Sequence, residues 1–171
     1  HQNGVIRMSS AAKKEKTVFE KWMDLPQNVI GEIINGELFA NPRPSPGHGA
    51  ANYALGVELG GPFHMGKGGG PGGWRFMMEP EIHIDQNIFV PDLAGWRRER
   101  IPEMPKDPFF TIVPDWICEV LSPSTVRYDR ATKMPLYANL EVKYLWLIDP
   151  VAKTLEIFLN DHKRWTLIHT Y

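Results

Sequence analysis

The chain has 171 residues, with 19 Lys and Arg against 20 Asp and Glu and a formal net charge of -1. That length suits one domain with its own core, and near-neutrality argues against a protein that coats nucleic acid through bulk positive charge, though not against one that touches phosphate at a local site. A single cysteine, Cys118, excludes a disulfide framework or a cysteine zinc site within one chain, and no apolar run is long enough to span a membrane.

No signal-peptide pattern is visible, so a reducing cytoplasm is the expected compartment. Residues 1–7, ahead of Met8, read as a cloning-vector remnant, and residues 8–17 as a polar, frayed start. A single domain is therefore expected over residues 18–171. Val18, Phe19, Trp22 and Leu25 give residues 18–25 a short helical pattern that Pro26 ends. Residues 29–40 read as a hairpin about Asn35-Gly36, a type I' turn signal. After a proline-rich turn, a helix is expected over residues 46–59, with Ala50, Ala51, Ala54, Leu55 and Leu59 on its apolar face. The glycine-rich residues 60–73 read as a mobile loop.

Strands are expected over residues 74–78, 81–84 and 89–96, then a charged, proline-broken loop over residues 97–108. The apolar run 116–121 suits a buried strand. Residues 123–139 read as a helix that Pro135 restarts, with Ser124 or Thr125 at its N-cap. Residues 143–149, 154–160 and 164–169 alternate and close the chain as strands. Strands, helix, strands, helix, strands make a mixed α/β or α+β domain.

Two acids stand out. Asp92 follows Pro91 in an otherwise apolar stretch, and Glu119 lies in the run Trp116 to Leu121. A carboxylate within an apolar strand is costly to bury unless it is paired or bound to a cation, and oxygen ligands are what magnesium or manganese prefers. A helix carrying Arg127, Asp129, Arg130 and Lys133 follows Glu119. Asp129 and Lys133 are four apart and share a helix face, and Arg130 and Lys133 can converge, so Lys133 is placed to reach back over the two carboxylates.

Pro91-Asp92, then Glu119-Val120-Leu121-Ser122-Pro123-Ser124-Thr125, then Asp129, Lys133, Tyr137 and Tyr144 to Pro150 resemble the Uma-two family of restriction endonuclease-like proteins. Glu32 to Leu38 and Ser45-Pro46-Gly47-His48 also match its pattern. The resemblance covers nearly the whole chain. It implies the PD-(D/E)xK nuclease-like fold, a mixed central sheet flanked by helices with the acids on neighbouring strands, here with an N-terminal hairpin. It further implies hydrolysis of phosphodiesters, in DNA before RNA, with Mg2+ or Mn2+ as cofactor. Asp92, Glu119 and the backbone carbonyl of Val120 would be the metal ligands, and Lys133 would orient the attacking water and stabilise developing charge. Small nucleases of this fold often act as homodimers. One departure stands out: the nuclease pattern wants lysine two residues after the glutamate, and here that residue is Leu121, with the lysine displaced to Lys133.

Glu32, His48 and Glu81 are further candidates for the site. Lys67, Arg97, Arg98, Arg127 and Arg130 are candidate phosphate contacts, and Trp96 could stack on a base. Gly61 to Lys67 has the spacing of a phosphate loop, but Gly68 replaces the required hydroxyl and no strand precedes it. Cys118 should point away from Glu119 as a core thiol, and Trp146 should be core. The alternative function is a nuclease fold that binds or regulates with weak or absent catalysis.

Overall fold

A computed structural model describes residues 14–171, so the expectations for residues 1–13 lie outside it. The frayed start does not extend to Thr17. Its hydroxyl accepts the amide of Glu20, and the Glu20 carboxylate accepts the amide of Thr17 in return, which caps α1 (Val18–Met23).

The hairpin forms as expected from β1 (Val29–Ile34) and β2 (Glu37–Pro42). Asn35 and Gly36 both have positive φ, 51° and 81°, which a type I' turn requires. α2 (Pro46–Leu59) starts at Ser45, whose hydroxyl accepts the amide of His48. Its inward face differs from the expected one. Asn52 is buried and Leu55 and Leu59 pack inward, whereas Ala50 and Ala54 are exposed. The glycine-rich stretch, expected as a loop, contains two short helical turns, Gly60–His64 and Lys67–Gly69.

Among the described residues ten strands form two sheets. The four-stranded sheet runs β2-β1-β5-β4, with β4 (Ile82–Ile84) and β5 (Asn87–Phe89). The six-stranded sheet runs β10-β9-β8-β7-β6-β3, from β3 (Trp74–Met78), β6 (Leu93–Arg97), β7 (Trp116–Val120), β8 (Tyr144–Asp149), β9 (Thr154–Asp161) and β10 (Arg164–Thr170). It is mixed: β7 and β8 are parallel and the other pairs antiparallel. The second strand of that parallel pair, β8, is reached through a helical crossover, as parallel strands demand. This crossover comprises α3 (Val126–Tyr128), a π-helical turn over Asp129–Lys133, and α4 (Met134–Asn139). Thr125 takes the N-cap position, but its side chain bonds Ser122 and makes no cap.

The stretch expected as one strand over residues 89–96 is two strands in different sheets. β5 ends at Phe89, the chain crosses through Val90, Pro91 and Asp92, and β6 begins at Leu93. Proline removes a ladder donor, which fits a break here. The larger core cluster joins the sheets through Ile34, Ile82, Phe89, Ala94, Ile117, Tyr137, Leu145 and Leu147. Cys118 packs on the opposite face with Leu93 and Trp116, and its thiol is pushed up by burial, as a core residue. Trp146 is half-buried, edge-on to Trp116 across 5.4 Å in an apolar groove on that face. Among the described residues no helix is long and apolar enough to cross a membrane.

Candidate active site

At the end of β7, where β6 begins, lies a cleft of about 310 Å³ lined by Glu32, Arg43, His48, Asp92, Glu119, Val120, Tyr128, Asp129 and Lys133 among others. Four elements deliver its chemistry. β1 supplies Glu32, the N-terminal turn of α2 supplies His48, the crossing before β6 supplies Asp92, and β7 supplies Glu119. The crossover helix covers them with Asp129 and Lys133, both buried because the π-helical turn rotates them inward together. Turns of this kind recur at functional sites.

Asp92 and Glu119 face one another through the antiparallel register that pairs Leu93 with Cys118. The amide of Val120 donates to Asp92 Oδ2 at 2.7 Å, and the amide of Asp92 donates to Glu119 Oε2 at 3.3 Å. Tyr137 donates its hydroxyl to Glu119 Oε1 at 2.5 Å, and Tyr128 donates to Glu32 Oε2. Lys133 Nζ lies 2.8 Å from Glu119 Oε1 and 3.2 Å from Glu32 Oε1, and donates to the Val90 carbonyl at 3.2 Å. His48 Nε2 donates to the Val120 carbonyl at 2.7 Å and lies 3.3 Å from Asp92 Oδ2.

These contacts set the charge states. Burial pushes Glu119 well above the usual carboxylate range, with Lys133 pulling the other way. Asp129 is raised for the same reason, again against Lys133. Burial also works on Asp92, but the hydrogen bond from His48 and the Lys133 charge outweigh it and hold Asp92 low. For Lys133, burial opposes charge, yet Glu119 and Glu32 overcome it and keep the ammonium protonated. His48 is raised, chiefly by its hydrogen bond with Asp92.

The donor set suits a hard divalent cation. Glu32, Asp92, Glu119 and Asp129 gather four carboxyl groups around Lys133, with Arg43 at the rim, a formal excess of two negative charges once all four are ionised. Such an excess calls for a counter-cation. The groups are nevertheless satisfied by one another: among the described residues no three His, Cys, Asp or Glu side chains are gathered as a ready-made metal cage.

Of the residues singled out from sequence, Asp92, Glu119, Val120, Lys133, Glu32 and His48 come together. Glu81 does not; its carboxylate pairs with His83 at 2.7 Å, outside the cleft. Lys67 and Arg127 are exposed and line no part of the cleft. Arg97 stacks on Trp74 at 4.2 Å, Arg98 donates to the His64 carbonyl, and Arg130 pairs with Glu156 instead of converging with Lys133. Trp96 cannot stack on a base: it is 1% exposed, stacked on Phe110, with its indole N–H donated to Ile112.

Sequence reasoning passed over Arg43 at the cleft rim and Tyr128, which anchors Glu32, and named Tyr137 only as part of the family pattern, without its role in anchoring Glu119. Tyr137 stands four residues after Lys133, a spacing that shares a helix face and could have marked it. Arg43 carries no comparable local signal.

A family model described as "Putative restriction endonuclease" (Uma2) matches residues 19–170. Among solved structures, the chain is similar to a putative nuclease belonging to DUF820 from Anabaena variabilis. That likeness has a TM-score of 0.72 and 22% identity, and it covers 90% of this chain and 84% of that one. It shows a shared fold. No curated protein matches the chain.

Proposed function

The chain belongs to the Uma2 family of restriction endonuclease-like proteins, and from that premise we propose that it is a nuclease that hydrolyses phosphodiesters in DNA with the help of Mg2+ or Mn2+. The observation that carries the reading is the gathering of four carboxyl groups, Glu32, Asp92, Glu119 and Asp129, in the cleft at the end of β7. Asp92, Glu119 and the Val120 carbonyl are the residues that would hold the ion, with Glu32 adjacent. When bound, the ion supplies a more acidic water and offsets charge on the phosphate.

The chain's own groups divide the remaining work. The Val120 amide and the Tyr137 hydroxyl fix the Asp92 and Glu119 carboxylates, so neither must reorganise when it meets a ligand. Lys133 holds its proton firmly and acts as a fixed positive charge, not as a base. It favours the extra negative charge that develops on the phosphoryl oxygens. Arg43, at the cleft rim, donates Nε–H and Nη2–H to the Gln27 carbonyl, and its remaining Nη1 group is the one that would meet a backbone phosphate. Cutting both strands takes two such sites, so a homodimer belongs to this reading and light scattering tests it.

A second reading, a nuclease fold that binds without turnover, is favoured by one observation. The three protons of Lys133 already face Glu119, Glu32 and Val90, which leaves none free for a water. Plasmid DNA incubated with the full chain and millimolar Mg2+ or Mn2+ separates the two. Cleavage that EDTA and Asp92→Ala both abolish supports the nuclease; DNA binding with no cleavage in either metal supports the binding module.

A further inference from the structure

His48 is in an unusual position for a residue at the edge of a metal site. Its Nε2–H points at the Val120 carbonyl, 2.7 Å away, and lies 3.3 Å from Asp92 Oδ2. Those are two of the three oxygen donors assigned to the cation above. From this we infer that His48 is a displaceable stand-in for the divalent ion: its ring holds the site closed in the ion's absence, and the ring must leave when the ion arrives. The inference rests on the metal-site reading.

Three observations carry it beyond simple proximity. A protonated ring nitrogen and a cation satisfy the same oxygens, so both cannot occupy them together. The ring is held from one edge alone, since its Nδ1 is buried with no hydrogen-bond partner. Swinging outward would let that atom meet water, which lowers the cost of leaving. The backbone is also unobstructed there. His48 lies in the first turn of α2 between Gly47 and Gly49, and a methyl group at either glycine would meet nothing within 4 Å. One turn further along α2, the Asn52 side-chain oxygen is buried and likewise unpaired. The helix face that carries His48 is therefore incompletely satisfied in the closed arrangement.

A resident ligand predicts the opposite response to truncation, which makes the inference testable with manganese alone. Calorimetric titration of Mn2+ into the full chain, wild type and His48→Ala, without DNA, should give a tighter dissociation constant for the variant by about tenfold, the scale of one hydrogen-bonded competitor removed. Equal affinity overturns the inference, and weaker affinity overturns it in favour of His48 as a ligand. If neither protein binds Mn2+, the metal-site reading falls and this inference with it. If the wild type binds and the variant gains nothing, this inference alone falls. A nitrogen-15 histidine spectrum of the wild type gives a second readout free of the variant's folding. The resonance absent from the His48→Ala spectrum should lose its hydrogen-bonded Nε2 signature on adding Mg2+, and an unmoved resonance overturns the displacement.

Discussion

Asp92 and Glu119 stand opposite each other where β6 enters and β7 leaves the six-stranded sheet, and the amide of Asp92 donates to the Glu119 carboxylate at 3.3 Å. The two acids are thus held by backbone amides as well as by Tyr137, Lys133 and His48. Substitutions at this pair should separate chemistry from folding.

Glu119→Gln keeps the shape and the acceptor for Tyr137, but removes one charge from an over-acidic cluster. It should lower DNA cleavage by at least about 100-fold, while the melting temperature in EDTA stays equal or rises. Parallel cleavage assays and thermal melts check it; a variant that cuts normally would remove Glu119 from the site.

Lys133→Met should act in the reverse sense. The methionine retains the apolar stem, but Glu119 and Glu32 lose their shared cation inside a buried cluster. A loss of about 3–5 kcal/mol in urea unfolding at pH 7 is expected, of the size seen when one member of a buried pair is removed. Added Mn2+ should recover part of that loss by mass action.

The pH dependence of the metal-free protein follows from the same groups. Glu119 and Asp129 are raised, so between their ordinary carboxylate range and their folded values the native state keeps protons that the unfolded chain has released. His48 is raised as well and contributes stability fully present below its unfolded value and lost as pH rises through the folded one. All three make stability fall as pH rises through the interval between each group's unfolded and folded values. Each proton of difference contributes a slope of about 1.4 kcal/mol per pH unit. Asp92 is lowered, so its contribution is lost only as pH falls below the ordinary carboxylate range. Urea titrations in EDTA should therefore place the protein's maximum stability on the acid side of neutrality, and Glu119→Gln should flatten the slope.

Basic residues can be ranked by where their charges are already spent. Arg130 is paired with Glu156 and Arg97 lies on Trp74, so Arg130→Ala and Arg97→Ala should leave DNA affinity nearly unchanged. Arg43→Ala should weaken binding of all sequences alike and reduce the salt slope by about one. Fluorescence anisotropy across a salt series measures both.

Local patterns were legible where one short-range rule decided the outcome. Asn35-Gly36 could only make a tight hairpin, and the alternation in residues 143–170 marked β8, β9 and β10. The stretch about Pro91 misled because apolar content alone does not say which sheet a strand joins. Ala50 and Ala54 misled because alanine fits either face of a helix, and Trp96 because an aromatic beside arginines reads the same whether it is core or exposed.

By itself the sequence determined most of the strands and helices, the family, and a short set of acids and bases worth weighing. The tertiary structure decided which of them meet. Glu32, Asp92, Glu119 and Lys133 come from four distant segments, and their convergence depends on the β6–β7 register, the crossing between sheets and the π-helical turn. Glu81 and Arg130 carry the same chemical groups yet point elsewhere. Side-chain periodicity extends over a few residues, whereas a buried charge cluster is set by long-range packing, so the near-zero net charge concealed an acidic pocket that only the folded chain assembles.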